Sequence, residues 1–284
     1  MEHFLNLTIN GFANGAIFAA LALSLIIIYQ ATRVVNFAQP ALALVAAYTA
    51  MAVTQASGSY WLGFVAALVC GLASGALVER VLIRPVQSSA SPLNPVIVTL
   101  GLLLLLMGAV GMIWGNEPHS FGYAFDYRGR PSPADIWAVV SVALAAALLF
   151  ALYRLTPLGL RMRAAAMRPE IARMLGVRVG SMLTLGWGIA SVIGALAGML
   201  AAPPFLYPNV LDTIFVLGLA AAVIGGLDNP FGAILGGLLM GLTTSYVSGY
   251  FGSELTALAA LGVLIVVLSV RPDGLFTRPT ARKV

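Results

Sequence analysis

Long apolar segments follow one another along the chain, separated by short polar stretches. Nine such segments lie at about 7–29, 34–53, 60–78, 96–114, 136–153, 182–201, 213–227, 231–248 and 254–270. Most approach the ~20 residues that a helix needs to cross a hydrocarbon core, and they are too long and too unpatterned for the strands of a membrane barrel. The pattern predicts an all-α fold, a polytopic transmembrane helical bundle with about 8–9 membrane segments in a single domain at 1–284.

Proline and glycine modify this picture at two segments. Pro40 lies inside the second segment, where it is expected to kink or break the helix, because proline lacks a backbone N–H and clashes with the preceding turn. The segment at 213–227 is short and contains Gly225 and Gly226, so it can be a half-helix. Residues 85–95, rich in Ser and Pro, are predicted as a linker, and residues 115–135 as a polar loop on the outer side.

The composition identifies an integral membrane protein. Hydrophobic residues make up 60% of the 284 residues and charged residues only 9%, whereas soluble domains carry about 25% charged residues. Cys70 is the single cysteine, so a disulfide within the chain is excluded, and neither a metal site nor a bound cofactor is expected.

The distribution of the basic residues predicts the orientation. The stretch at 154–180 carries six arginines, which are costly in hydrocarbon and therefore stay in water. With the N-terminus outside, thirteen of the fifteen basic residues fall inside. They are Arg33, Arg80, Arg84, Arg154, Arg161, Arg163, Arg168, Arg173, Arg178, Arg271, Arg278, Arg282 and Lys283. Arg128 and Arg130 remain outside beside Glu117, Asp126 and Asp135, so the positive-inside rule predicts an N-out, C-in topology and the net charge of +5 needs no nucleic acid to explain it.

Several function classes lack their chemistry in this chain. Lys283 is the only lysine, so no P-loop lysine exists, the chain is not expected to be an enzyme, and any ATP hydrolysis has to occur on separate subunits. Ion-coupled transporters usually bury a charged residue near the middle of the membrane. Here Glu79, Asp212, Asp228 and Glu254 are placed at the ends of segments or in turns, which weakens the reading as a secondary transporter without excluding it, since sodium can be held by carbonyls and hydroxyls alone.

Small and polar residues within the segments have two readings each. Glycines recur at four-residue spacing at Gly11 and Gly15, Gly71 and Gly75, Gly194 and Gly198, Gly232 and Gly236, and Gly237 and Gly241. This spacing favours tight helix packing, with a translocation seam or a dimer interface as the alternative. The amides Asn10, Asn14, Gln30, Asn36 and Gln39 either hydrogen-bond between helices or line a pathway.

Four stretches of the chain resemble one family of membrane proteins. They read N-G-F-A-N-G-A-I-F-A-A-L-A-L-S-L at 10–25, V-V-N-F-A-Q at 34–39, T-P-L-G-L-R-M-R-A-A-A-M-R-P-E-I-A-R-M-L-G-V at 156–177 and A-A-V-I-G-G-L-D-N-P-F-G-A-I-L-G-G at 221–237, and the ending R-P-D-G-L-F at 271–276 fits as well. In this order and over nearly the whole length, the chain resembles the permease subunits of bacterial branched-chain amino acid ABC transporters of the high-affinity Leu/Ile/Val type. One departure is Gln39-Pro40, where family members often have His-Gly, and it leaves the solute open among branched-chain or related small amino acids and amide or urea-like solutes.

The resemblance implies a multi-pass protein of the bacterial inner membrane that imports its solute by alternating access. It implies as partners two ATP-binding subunits on the cytoplasmic side, a second permease subunit in a homo- or heterodimer, and a periplasmic solute-binding protein, with no nucleic acid. The alternative remains an ion-coupled secondary transporter or channel for a small solute.

The loop at 154–180 is then predicted to couple the permease to its ATPase. Residues 164–175 can form a short amphipathic helix that docks into a groove of the ATPase, with Pro169 in its first turn or splitting it and Gly176 ending it. The candidate coupling residues are Arg163, Arg168, Glu170, Ile171, Arg173, Met174, Leu175 and Gly176. The alternative, that the arginines only fix the topology, explains the charge but not the apolar residues among them. The candidate substrate pathway comprises Asn14, Asn36, Gln39, Gly225 and Gly226.

Overall fold

The computed structural model describes residues 1–87, 93–125, 129 and 131–276. The longer helices in this part are α1 (Glu2–Thr32), α2 (Gln39–Ser57), α3 (Tyr60–Val78), α5 (Asn94–Trp114), α6 (Pro133–Leu155), α9 (Val179–Ala201), α10 (Asp212–Gly225), α11 (Pro230–Tyr250) and α12 (Thr256–Val270). Short helices are α4 (Arg84–Gln87), α7 (Pro157–Met167) and α8 (Pro169–Met174). Within the described residues, eight helical stretches are long and apolar enough to cross a membrane, and α10 is a shorter apolar helix, which confirms the predicted all-α membrane bundle.

The helices are arranged around α1. In the most apolar part of α1, 83% of the residues are buried inside the protein, and α9 follows with 67%. The corresponding shares for α5, α6 and the span containing α12 are 17%, 22% and 6%. Apolar side chains such as Leu104 and Met112 are exposed on this outer ring. Because lipid tails are as apolar as leucine, the ring can present its side chains to the bilayer, while α1 and α9 form the core.

Glycines bring the backbones of the core helices into contact. An added Cβ at Gly15 would lie 3.0 Å from Leu238 Cα, and one at Gly237 would lie 2.5 Å from Ala19 Cα, so α1 and α11 approach with no room for side chains. Gly71 and Gly75 of α3 face Ser191 of α9 in the same way. These contacts confirm tight packing as the role of the glycine spacing.

The second helix begins later than the sequence predicts. Residues 34–38 are irregular, and α2 starts at Gln39 with Pro40 in its first turn. Proline suits this position, because the N–H that it lacks has no partner in the first turn of a helix and its fixed φ is already helical. The prediction that Pro40 kinks or breaks the helix is therefore wrong: Pro40 starts it.

The third helix extends beyond its predicted end. A π-helical turn at Glu79–Ile83 follows α3 without interruption, and α4 continues to Gln87 within the segment predicted as a linker. This extension buries Glu79 completely. The sequence places Glu79 at a segment end because of the charges around it, whereas the structure encloses its carboxylate between two helices.

Contacts between loops show which helix ends share a face. The strand β1 (His119–Ser120), after α5, pairs antiparallel with β2 (Phe205–Leu206), after α9. On the opposite face, Arg33 at the end of α1 pairs with Asp228, just before α11. The positive-inside rule assigns the face with Arg33 and the α7–α8 arginines to the cytoplasm, so the chain runs N-out, C-in. Arg128, Arg130, Asp126 and the tail residues Arg278, Arg282 and Lys283, which the charge count also uses, lie outside the described residues.

Candidate functional site

The arginine-rich loop forms two short helices at the cytoplasmic face. Thr156 begins α7, since its side-chain oxygen accepts a hydrogen bond from Gly159 N and Pro157 follows as the first helical residue. Residues 157–159 form the first turn of this helix. Pro169 begins α8, so proline splits the helix predicted for 164–175. Gly176 follows with a φ of 79°, a left-handed conformation that glycine adopts without strain.

Apolar side chains in and directly after α8 are exposed on the protein surface. Ala172 is buried in a small core with Ala165 and Val179, which ties α8 to α7 and to the start of α9. Ile171, Met174 and Leu175, by contrast, are 46%, 87% and 77% exposed. We call residues 168–176 the docking segment. Exposed apolar side chains among exposed arginines are typical of a surface that is covered by a partner.

The charged residues of the docking segment are available to such a partner. Arg168, Glu170 and Arg173 are exposed, and none of them takes part in an ion pair among the residues that the structure describes. The structure therefore brings together all the predicted coupling residues except one. Arg163 belongs to the preceding helix α7 and lines a separate cleft between α1, α6 and α11.

A part-buried network of hydrogen bonds joins the start of α9, which follows the docking segment, to the end of α3. Arg84 Nη2 donates to Glu79 Oε2 at 2.8 Å and to the carbonyl oxygen of Gly180 at 2.7 Å. Thr184 donates through its hydroxyl to the same Glu79 oxygen at 2.6 Å. Gly180 and Thr184 lie in the first turns of α9. Movement of the start of α9 is thereby linked to α3 through hydrogen bonds, and the π-helical turn that positions Glu79 is a feature often found at functional sites.

A cavity of about 500 Å³ opens at the outer face. Asn10 and Asn14 of α1 line it, together with Thr244, Ser245 and Ser248 of α11. Neither asparagine side chain makes a hydrogen bond among the described residues, whereas Ser245 donates to Leu7 O at 2.6 Å and Thr244 donates to Gly241 O at 3.1 Å. Free amides and hydroxyl oxygens in a mostly apolar cavity suit a small polar solute. Asn14 is among the predicted pathway residues. The three hydroxyl residues are not, although their spacing of one and three residues places them together on one helix.

The other predicted pathway residues lie apart from this cavity. Asn36 and Gln39 are fully buried, and Asn36 Nδ2 donates to Gln39 Oε1 at 3.0 Å. Gln39 Nε2 has no hydrogen-bond partner among the residues that the structure describes, and it packs against Gly194 of α9. Gly225 and Gly226 form the end of α10 near the cytoplasmic face, with a φ of 96° at Gly226. The five predicted residues therefore occupy three levels of the bundle and do not form one site.

Ion pairing is limited at the cytoplasmic turns. Arg33 is exposed and pairs with Asp228, while Gln30 Nε2 donates to the carbonyl oxygen of Asp228 at 2.8 Å. Partial burial lowers the pKa of Arg33, but the hydrogen bond and the charge of Asp228 outweigh this effect and raise it above the ordinary value. The pair joins the end of α1 to the turn between α10 and α11.

The family model and two relatives that cover this chain almost completely are described as permease proteins of branched-chain amino acid transport systems. The family described as "Branched-chain amino acid transport system / permease component" matches residues 7–268. The high-affinity branched-chain amino acid transport system permease protein LivH of Escherichia coli K12 is 28% identical, covering 99% of this chain and 98% of the relative. The corresponding protein BraD of Pseudomonas aeruginosa is 25% identical, with the same coverage of 99% and 98%.

A solved structure supports the fold independently of sequence. PsaBC from Streptococcus pneumoniae in complex with Fab matches with a TM-score of 0.53 over 93% of this chain and 91% of the matched chain. The identity is only 11%, so this likeness concerns the arrangement of helices alone. Since the family match spans almost the entire membrane region, the chain belongs to the family of permease components of branched-chain amino acid transport systems.

Proposed function

We propose that this chain is the permease subunit of an ATP-driven importer of the bacterial inner membrane. Its solutes are branched-chain or related small amino acids. The family and its curated relatives support this assignment. The structural observation that carries the mechanism is the docking segment, with Ile171, Met174 and Leu175 exposed on the cytoplasmic face. A short helix with an apolar surface and a charged rim fits a hydrophobic groove on another protein.

The partner of the docking segment is an ATP-binding subunit in this proposal. The complex contains two such subunits, a second permease and a periplasmic solute-binding protein. Closure of the ATP-binding subunits moves α8, and the small core of Ala165, Ala172 and Val179 transmits the displacement to the start of α9. The Glu79–Arg84–Thr184 network then carries it to α3. Alternating access follows if these helices move relative to α1.

The solute enters through the outer cavity. The amides of Asn10 and Asn14 line it and make no hydrogen bond within the described part of the chain, and α11 contributes hydroxyl groups to the lining. The cavity volume of about 500 Å³ falls within the usual range for small-molecule sites. A zwitterionic or amide-bearing solute can bind the amides and hydroxyls, which also accommodates several related solutes. Asp135 lines the cavity as well, but its carboxylate already accepts hydrogen bonds from Ser132.

Asn36 and Gln39, at the start of α2, are the next polar side chains that the solute would meet deeper in the bundle. They are buried, and separation of Gln39 from Gly194 of α9 would expose them.

Co-purification tests the docking proposal. Arg173→Glu combined with Met174→Asp should abolish recovery of the ATP-binding subunits with the permease and should abolish ATP-dependent uptake. Arg161→Glu combined with Met167→Asp is a matched control, because both residues are exposed on α7 and lie outside the docking segment. Undiminished co-purification and uptake in the first variant would show that the docking segment is not the coupling element.

A further inference from the structure

A second cleft lies in the cytoplasmic half of the bundle. It has a volume of about 910 Å³ and lies between α1, α6 and α11. Its inner wall is apolar and includes Leu23, Ile27, Leu149 and Ile234. Leu23 and Gln30 on α1 mark its extent, so at 1.5 Å per residue the cleft reaches about 10 Å along the helix axis. Phe150 and Phe231 at its edge are 60% and 64% exposed.

The rim of this cleft carries two uncompensated positive charges. Arg154, in the last turn of α6, and Arg163 of α7 both line it. Neither forms an ion pair among the described residues; the guanidinium carbon of Arg154 lies 5.5 Å from the centre of the Phe150 ring. The carboxylate at the opposite rim, Asp228, is already paired with Arg33. An apolar wall at membrane depth thus ends in two arginines at the cytoplasmic surface.

We propose that this cleft binds an anionic phospholipid of the cytoplasmic leaflet. Arg154 and Arg163 hold the phosphate, and an acyl chain lies against the apolar wall. Guanidinium groups suit phosphate because they donate several hydrogen bonds in a fixed geometry, and basic pockets between membrane helices on the cytoplasmic side bind anionic head groups. A free phosphate would leave the apolar wall uncovered. A symmetric contact with a second copy would bring the same arginines towards each other and is disfavoured by like charge.

Photolabelling in nanodiscs tests the proposal. The full chain is placed in phosphatidylcholine discs containing a trace of phosphatidylglycerol with a photoreactive acyl chain. Labelling is expected on α6 and α11 at the cleft, and unlabelled phosphatidylglycerol should compete while inorganic phosphate should not. Arg154→Gln combined with Arg163→Gln should lower the apparent affinity for phosphatidylglycerol about thirtyfold.

Two further variants test whether labelling depends on this cleft or only on the overall positive charge of the cytoplasmic face. Arg161→Gln combined with Arg178→Gln removes the same charge from exposed positions that do not line the cleft, and labelling should persist. Ala147→Phe fills the cleft while both rim arginines remain, and it should reduce labelling with no loss of thermal stability. Equal labelling by photoreactive phosphatidylcholine, or full competition by inorganic phosphate, would overturn the proposal. So would a second copy of the chain cross-linked at this face in place of lipid.

Discussion

Arg84 and Glu79 form a salt bridge of 2.8 Å in which the carboxylate is fully enclosed and the guanidinium side chain is 40% exposed. Because of this difference in exposure, the loss of Arg84 and the loss of the Glu79 charge have different effects on stability. Removal of Arg84 leaves a buried carboxylate with only Thr184 as a donor, whereas removal of the charge on Glu79 leaves an arginine that can reach water. The arginine therefore offsets the cost of burying the acid.

We expect Arg84→Met to lower the free energy of unfolding by about 3 kcal/mol, near the lower end for breaking a buried pair because Arg84 is part-exposed. Glu79→Gln should cost about 1 kcal/mol, since glutamine still accepts a hydrogen bond from Arg84. The double variant should resemble Glu79→Gln. Thermal and chemical unfolding of the purified protein provides the comparison, and equal losses in the two single variants would contradict the assignment of the burial cost to Glu79.

The helix contact between α1 and α11 gives a second prediction. Gly237→Ala places a Cβ 2.5 Å from Ala19 Cα, so the two backbones have to separate, and we expect a loss of about 1–3 kcal/mol. Gly108→Ala on α5 is the matched control, because an added methyl group there meets nothing within 4 Å. The melting temperature should fall for the first variant and stay equal or rise for the second. A similar shift in both would mean that helix propensity, not packing, dominates.

Substitutions of Arg33 at the end of α1 distinguish the effect of its backbone conformation on stability from the effect of its ion pair. Arg33 has a φ of 56°, which is unfavourable for any residue with a Cβ. Arg33→Gly and Arg33→Ala both lose the pair with Asp228, which is exposed and worth at most about 1 kcal/mol. Arg33→Gly should be more stable than Arg33→Ala by about 1 kcal/mol, because only alanine retains the left-handed strain. Equal stability of the two variants would show that Arg33 is not held in this conformation in the membrane.

The outer cavity predicts an effect on transport rather than stability. Asn14→Leu removes an amide that makes no hydrogen bond to any residue that the structure describes, so the melting temperature should not fall. The KM for uptake by the assembled importer should rise about three- to tenfold, as expected for one lost hydrogen bond to the solute. Phe12→Leu is the control, since Phe12 is exposed on α1 and does not line the cavity. An unchanged KM in Asn14→Leu would remove this residue from the pathway.

Much of the fold follows from the sequence because the bilayer imposes simple rules on length, polarity and charge. The segment at 213–227 is identified as short, and α10 is short. The exposure of the arginine-rich loop could also be predicted, since six arginines in an apolar chain must lie in water, and Pro169 and Gly176 determine where its second helix begins and ends. These features depend on local sequence alone. The docking of this loop to a partner stays a prediction.

The remaining features depend on long-range packing, which residue patterns do not reveal. Glu79 is followed by Arg80 and Arg84, so it is typical of a helix end in water. It is buried because Thr184, more than a hundred residues later, supplies a donor to its carboxylate. The polarity of Asn14, Asn36 and Gln39 within apolar segments predicts that these residues belong to one pathway. The structure separates Asn14 from Asn36 because the chain after α1 turns back into the bundle before α2 begins at Gln39.

Reconstituted transport shows whether uptake through this chain depends on ATP-binding subunits. The chain would be placed in proteoliposomes with and without its ATP-binding subunits, second permease and solute-binding protein, and uptake of a radiolabelled branched-chain amino acid measured with ATP or with an ion gradient. Uptake is expected only by the complete assembly with ATP, and none is expected after Arg173→Glu with Met174→Asp. Gradient-driven uptake by this chain alone, with no ATP-binding subunit present, would contradict this expectation.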